Sequence, residues 1–175
     1  SKIEEIERRV RELEETWRRK LEEVEKDSRR SVKKMEEDLE RAARETEEIK
    51  RRLREEDIRE EELKETVDRH HKKIEEIKRE LEKENKDHHK KIRDVERELD
   101  KANKELADDM ERVKKDNGDE RKLEELLRKH NEVIKRVKEE LKRLDKEHTD
   151  IVEEVKKELD KLDEDLKRVA DEKRK

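Results

Sequence analysis

The stretch HHKKIEEIKRELEKENKDHHKKI, residues 70–92, begins and ends with the same five letters, which recur eighteen positions apart. The same interval separates apolar residues over most of the chain. They include Leu63, Leu81 and Leu99; Ile74, Ile92 and Met110; Leu123, Leu141 and Leu159; and Leu126, Leu144 and Leu162. Eighteen residues make five turns of an α-helix, so side chains at this spacing stay on one face of a straight helix. The repeat therefore predicts long, nearly straight, untwisted α-helices.

The composition agrees with this prediction once the spacing is considered. Of the 175 residues, 65% are charged and 25% hydrophobic, which by itself is typical of disorder. However, the few apolar residues fall at helical spacing, which favours a coiled coil or long helices. One Gly and no Pro leave almost nothing to interrupt a helix. The expected fold class is all-α.

Three apolar stripes predict three helices of about 55 residues, each about 80 Å long at the usual helical rise. We expect helix 1 at about 2–56, helix 2 at about 58–115 and helix 3 at about 119–173. Short connections would make the chain a single elongated domain over residues 1–175, an antiparallel up-down-up three-helix bundle.

The two boundaries differ in strength. Asp116-Asn117-Gly118-Asp119 offers residues that tolerate positive φ and then an Asp to cap the next helix. The boundary near Glu56-Asp57-Ile58-Arg59 has no Gly or Pro, although Asp57 followed by Glu60 resembles a capping box. The alternative is one continuous helix, which would expose a long apolar stripe unless another chain covered it.

Polar residues inside the stripes predict buried hydrogen-bond networks. With turns centred near residues 58 and 118, Ser28, His88 and His148 share one layer of the bundle, while Thr46 and His70 share another. The candidate network residues are Thr16, Ser28, Ser31, Thr46, His70, Asn85, His88, Asn103, His130 and His148. Hydroxyls and imidazoles on facing helices can satisfy one another, and such layers specify register more than they add stability. The alternative for each is exposure at the stripe's edge, which we expect for His71 and His89.

The histidines allow two further interpretations. Burial favours neutral imidazole, so stability would decline in mild acid as the unfolded chain takes up protons. Zinc sites need three or four ligands, often with His at i and i+4, whereas the His pairs here are adjacent and their rings diverge. No metal site is predicted, and a designed metal-binding bundle stays an alternative.

Other function classes lack their signals. The net charge is −5 with signs interleaved, so no basic stripe favours nucleic acid, and no apolar run or targeting signal indicates a membrane. There is no Cys and no Gly-rich phosphate loop, and a filled Leu, Ile and Val core leaves no substrate pocket. We therefore expect a soluble protein that is not an enzyme and needs no cofactor. Its cellular location is not predicted.

The spacing 3-4-4-3-4 of the stripe from Val10 to Thr46, with the repeats over 63–113 and 123–169, resembles de novo, parametrically designed three-helix bundles that carry buried hydrogen-bond networks. The resemblance implies a hyperstable monomeric scaffold that requires no partner. The first loop without Gly and the six His depart from a plain scaffold. One alternative is a natural coiled-coil or spectrin-like interaction rod, although heptads would give steps averaging about 3.5 rather than 3.6 residues. Another is self-association through wider apolar faces such as Leu126-Leu127.

Overall fold

The chain folds into three long α-helices. The computed structural model describes residues 1–117 and 120–174. It contains α1 (Lys2–Glu55), α2 (Glu60–Asn117) and α3 (Glu120–Arg174), and no strand occurs within those residues. The helices contain 54, 58 and 55 residues. The predicted all-α class, with three packed helices of about equal length, is confirmed. No helix has a stretch, over the residues described, that is apolar enough to cross a bilayer.

A break at residues 56–59 separates α1 from α2, so the alternative of one continuous helix is wrong. The N–H of Leu63 donates to the carbonyl oxygen of Arg59 at 2.9 Å, which places the start of α2 immediately after Arg59. The capping box predicted at Asp57 is therefore two residues too early. Ile58 explains the difference, because it is half-buried against the apolar cluster at this end of α1 and α2. The second predicted turn falls on Gly118 and Asp119, which lie outside the described residues.

The helices contribute to two compact units. The first unit comprises Ser1–Ser28 and His88–Lys146, and the second comprises Arg29–Asp87 and Glu147–Lys175. Each unit therefore contains a segment of all three helices, and each can build its own core.

The first unit has two apolar clusters, one around Trp17 and one around Leu106. Their buried members are Trp17, Val24, Ile92, Leu99, Ile134, Val137, Leu141 and Leu144, and Ile6, Val10, Leu106, Met110 and Leu123. Arg9 pairs with Asp109, and Lys20 with Glu98, so later residues of α1 meet earlier residues of α2. This order shows that α1 and α2 are antiparallel in the first unit.

The second unit is built in the same way. Its buried apolar residues are Met35, Ala42, Ile74, Leu81, Val152, Val155 and Leu159, and Leu53, Leu63, Leu166, Val169 and Ala170. Lys78 pairs with Asp160, and Lys156 with Glu82, so α2 and α3 are also antiparallel here. These clusters use the predicted stripe positions, because side chains three and four residues apart share one helix face.

Candidate functional site

The histidines divide into a buried group and a half-exposed group. The buried ones are His70, His88, His130 and His148, whose residues are between 0% and 8% exposed. His71 and His89, which lie one position off the apolar stripe, have side chains 43% and 45% exposed. All six belong to polar contacts that join two or three helices.

In the first unit, four polar residues from three helices come together. Ser28 Oγ of α1 lies 3.0 Å from His88 Nε2 of α2, and both residues are buried. The neighbouring His89 donates from Nδ1 to Asp145 Oδ2 of α3, at 2.6 Å. The adjacent histidines of α2 therefore face different helices: His88 contacts α1 and His89 contacts α3.

The second unit contains the same arrangement. Thr46 Oγ1 donates to the carbonyl oxygen of Ala42 at 2.7 Å, so it must accept the proton of His70 Nε2, also at 2.7 Å. His71 donates from Nδ1 to Asp163 Oδ2 at 2.7 Å. The bond to the Thr46 hydroxyl fixes the tautomer of His70, whose Nε2 carries the proton.

These two arrangements are copies of one motif, which we call the hydroxyl–His–His–Asp set. Its members are Ser28, His88, His89 and Asp145 in the first unit, and Thr46, His70, His71 and Asp163 in the second. Every residue lies eighteen positions from its counterpart, later in α1 and α3 and earlier in α2, as antiparallel helices require. The apolar stripes predict the hydroxyls and the buried imidazoles of this set, but they do not predict either aspartate. Asp145 and Asp163 are themselves eighteen residues apart, and the position one repeat earlier is Leu127. Two acidic residues at a repeat position that elsewhere holds Leu are a signal that could have identified them.

Burial dominates the electrostatics of the inner imidazoles. It holds the pKa of His70 below its usual value, although Asp163 and Glu45 act in the opposite direction. Burial likewise lowers the pKa of His88, against the attraction of Asp145. His70 Nδ1 lies 3.7 Å from Asp163 Oδ1, and neither atom has a hydrogen-bond partner among the described residues. In the neutral ring of His70, the lone pair of Nδ1 therefore faces the Oδ1 atom of Asp163.

Asp163 stays ionised despite being only 7% exposed. Burial by itself raises the pKa of its carboxyl group, but hydrogen bonds from His71 and Lys167 outweigh that effect, so the pKa is lowered. The Lys167 Nζ atom lies 3.1 Å from Asp163 Oδ2. This carboxylate is thus an anionic anchor for the outer imidazole of the set.

A different network surrounds His148 in the second unit. Its Nε2 lies 2.8 Å from Ser31 Oγ, and its Nδ1 lies 2.9 Å from Asn85 Oδ1. Ser31 also donates to Glu84 Oε1 at 2.8 Å, and Thr149 donates to Asn85 Oδ1 at 3.2 Å. The register predicted from the loop centres places His148 with Ser28 and His88, whereas Ser31 and Asn85, to which it bonds, lie one helical turn from those two positions. Glu84 and Thr149 were not predicted.

His130 occupies the equivalent position of α3 in the first unit, eighteen residues before His148. It is fully buried, and its Nδ1 donates to Glu14 Oε1 at 3.1 Å. Its Nε2 has no hydrogen-bond partner among the described residues, and neither does the buried Oδ1 of Asn103. His148 and Asn85 are hydrogen-bonded to each other, but their counterparts one repeat away, His130 and Asn103, do not form the equivalent bond.

The unpaired Nε2 of His130 has a simple explanation. Position 13, eighteen residues before Ser31, is Leu13, so no hydroxyl stands where His148 finds one. Leu13 instead packs against the apolar clusters.

Two threonines lie in environments that their sequence positions did not predict. Thr16, predicted as part of the buried network, is exposed, and its hydroxyl donates to the carbonyl oxygen of Glu12 at 2.9 Å. That prediction is wrong because position 16 faces solvent beside the stripe. Thr66, which was not predicted, is 5% exposed and donates to the carbonyl oxygen of Glu62 at 2.8 Å.

The chemistry of these contacts is proton donation and acceptance. Within residues 1–117 and 120–174, no group of three or more His, Asp or Glu side chains is placed to hold a metal ion. The paired groups can exchange protons, fix imidazole tautomers and hold helices in one register.

Comparison with known proteins gives a structural likeness. No protein-family model matches the chain, and no curated protein matches it. A solved structure described as a computationally designed three helix bundle aligns with 99% of this chain and 87% of its own, at 16% sequence identity and a TM-score of 0.68. The chain therefore has the fold of a computationally designed three-helix bundle.

Proposed function

We propose that this chain is a designed structural scaffold without a natural biochemical activity, in which the histidine-containing polar positions set the register of the helices. The observation that carries this proposal is the hydroxyl–His–His–Asp set, which occurs twice at the eighteen-residue interval of the apolar repeat. Both copies use the same ring atoms, Nε2 of the inner histidine and Nδ1 of the outer one. A hydrogen-bond set placed in step with the core repeat is what specification of one register requires. The likeness to a designed bundle supports the same origin.

The competing structure is a register in which one helix has slipped by a turn along its neighbours. Apolar side chains at helical spacing pack almost equally well when one helix moves by a turn, because Leu, Ile and Val make no directional contacts. A slip by one turn would separate Ser28 from His88 and leave buried polar atoms without partners, at a cost of about 1–3 kcal/mol for each. The polar pair therefore penalises the slipped register more strongly than the surrounding apolar residues do.

Engineered disulfides test this proposal. Lys20 and Glu98 pair in the observed register of the first unit, whereas Asp94 lies one turn away from Glu98. Lys20→Cys/Glu98→Cys reports the observed register and Lys20→Cys/Asp94→Cys reports the slipped one. We expect the facing pair to form its disulfide at least about tenfold more readily than the offset pair.

The same two cysteine pairs are then placed in a chain that carries Ser28→Ala, His88→Leu, Thr46→Val and His70→Leu, which removes both inner pairs. There the preference for the facing pair should fall at least about threefold, because the slipped register then leaves fewer buried polar atoms without partners. An unchanged preference would show that the inner hydroxyl–histidine pairs do not set the register. Circular dichroism of each reduced variant checks that the helices are intact.

A pH-dependent stability belongs to the same proposal. The pKa of His70 and that of His88 are lowered by burial, so the native chain keeps these rings neutral while the unfolded chain protonates them in mild acid. The groups that face His70 are Thr46 and Glu45 of α1 and Asp163 of α3. Burial outweighs the attraction of both carboxylates, and we therefore propose that acid weakens the fold at the inner histidines.

A further inference from the structure

The two half-exposed histidines carry a chemistry that the scaffold does not use. His71 in the second unit and His89 in the first each donate Nδ1–H to an aspartate of α3, Asp163 and Asp145 respectively. The aspartate side chains are 10% and 22% exposed, whereas the imidazoles are 43% and 45% exposed. Each ring is thus held at its Nδ1 edge by a more deeply buried carboxylate. The exposed part of each ring is consequently the edge that carries Nε2.

The bond at Nδ1 determines what the exposed edge can do. A neutral imidazole has one N–H, so a ring that donates from Nδ1 carries its lone pair on Nε2. A carboxylate in this position holds the ring in one orientation and stabilises the positive charge that develops when Nε2 forms a new bond. At Asp163 the carboxylate is kept ionised, because hydrogen bonds from His71 and Lys167 lower its pKa although burial opposes them.

We propose that His71 and His89 are nucleophilic sites for activated acyl groups, of which aryl esters are the simplest class, with Asp163 and Asp145 as their positioning residues. This inference goes beyond the scaffold role and does not depend on it. It requires only that each imidazole keep its Nδ1 hydrogen bond to the aspartate of α3.

The reaction has two steps. In the first, the Nε2 lone pair attacks the ester carbonyl carbon, the bond from that carbon to the aryl oxygen breaks, and the aryl oxide leaves with the electron pair. Loss of the Nδ1 proton to solvent then leaves a neutral acylimidazole. In the second, water attacks the acyl carbon, the bond to Nε2 breaks, and the ring regains one proton as the carboxylic acid is released. The sum is ester and water giving acid and phenol, with the imidazole regenerated.

The other four histidines cannot take part. His70, His88, His130 and His148 are at most 8% exposed, and an ester in bulk water cannot reach their nitrogens. More than half of each reactive ring is covered by its neighbours, so small aryl acetates should react more readily than bulky acyl groups. His71 has an additional feature, since Lys167 bonds to the same carboxylate oxygen that holds the ring.

Hydrolysis of p-nitrophenyl acetate in excess tests the proposal through release of p-nitrophenolate. We expect His71→Ala/His89→Ala to lower the turnover rate near pH 7 at least about fivefold after subtraction of the rate without protein. Lys72→Ala/Lys90→Ala is the matched control, because these exposed neighbours occupy the same two repeats. It should retain the parent rate. Equal rates for the double histidine variant and the parent would assign the reaction to amines and overturn the proposal.

A measurement on the unaltered chain removes any dependence on variant folding. Limiting diethyl pyrocarbonate, followed by peptide mass spectrometry, should modify His71 and His89 at least about tenfold faster than the other four histidines. Similar rates at all six would contradict the proposed selectivity.

The positioning role needs its own readout. Asp145→Asn and Asp163→Asn should each lower the rate and shift the ¹⁵N signals of the adjoining imidazole away from the Nδ1–H tautomer, because an amide can donate to Nδ1. The helical circular dichroism should stay constant. If both the tautomer signals and the rate stayed unchanged, the aspartates would not be positioning residues, and that part of the proposal would be wrong.

Discussion

Mild acid should destabilise the native chain through His70 and His88. Both pKa values lie below the usual 6.5 because burial disfavours the charged ring. Above pH 6.5 both the folded and the unfolded chain hold these rings neutral, and the full stability is present. As pH falls below 6.5 the unfolded chain binds protons that the native chain does not, so the free energy of unfolding decreases until the folded pKa is reached.

The magnitude follows from the number of protons. One proton bound only by the unfolded chain changes the free energy of unfolding by up to about 1.4 kcal/mol per pH unit. The two inner histidines together give a slope of up to about 2.7 kcal/mol per pH unit. The carboxyl group of Asp163 contributes in a separate window, because its lowered pKa places its effect below its usual value of 3.8. Measurements above pH 5 therefore report the imidazoles.

Guanidinium unfolding at several pH values between 8 and 5 would measure this slope, with circular dichroism for all helices and Trp17 fluorescence for the first unit. A variant with His70→Leu, His88→Leu, Ser28→Ala and Thr46→Val should lose most of the slope. The control carries only Ser28→Ala and Thr46→Val, which keep both imidazoles, and should retain it. A flat profile for the parent, or an equal slope in the four-substitution variant, would refute the reasoning.

Two further predictions concern single polar side chains. At pH 7.5, His148→Leu should be less stable than His130→Leu by about 1 kcal/mol, because it removes the partner of both Ser31 and Asn85, whereas His130→Leu breaks the single bond to Glu14 and also removes an unpaired buried nitrogen. Equal stabilities in chemical denaturation would contradict this. Asp163→Asn should destabilise the chain by about 1–3 kcal/mol near neutral pH, through loss of its charge-assisted bonds. Since the pKa of this carboxyl group is lowered, its contribution is present above pH 3.8 and is lost as pH falls through the folded value. The thermal stabilities of parent and variant should therefore converge in strong acid, and a constant difference would show that charge is not the cause.

The eighteen-residue repeat made the helices and many of the buried polar positions predictable. Position in a straight helix depends only on residue number, so the spacing of Leu and His places Ser28 opposite His88 and Thr46 opposite His70. The register of His148 was less predictable, because a shift of one turn keeps every apolar residue on the same face. The hydrogen bonds of His148 to Ser31 and Asn85 distinguish the observed register from the one shifted by a turn. The hydropathy pattern is the same in both registers and cannot distinguish them.

The acidic partners were hidden for a different reason. With 59 Asp and Glu among 175 residues, chance alone places an acidic residue within one turn of almost any position on a helix. Composition therefore cannot distinguish Asp163, which is buried, from the many solvated ones. The start of α2 predicted at Asp57 was also wrong. The local capping pattern is favourable there, but the burial of Ile58 outweighed it.

Repetition also separates the effect of position from the effect of partners. His130 and His148 have equivalent places in α3, and both are essentially inaccessible to solvent. One has a hydroxyl and an amide as partners, and the other has a carboxylate and an unpaired nitrogen, because Ser31 has Leu13 as its counterpart. Burial alone therefore does not determine what a core histidine contributes. The facing side chain does, since it decides whether a buried nitrogen is satisfied, unpaired or held beside a charge.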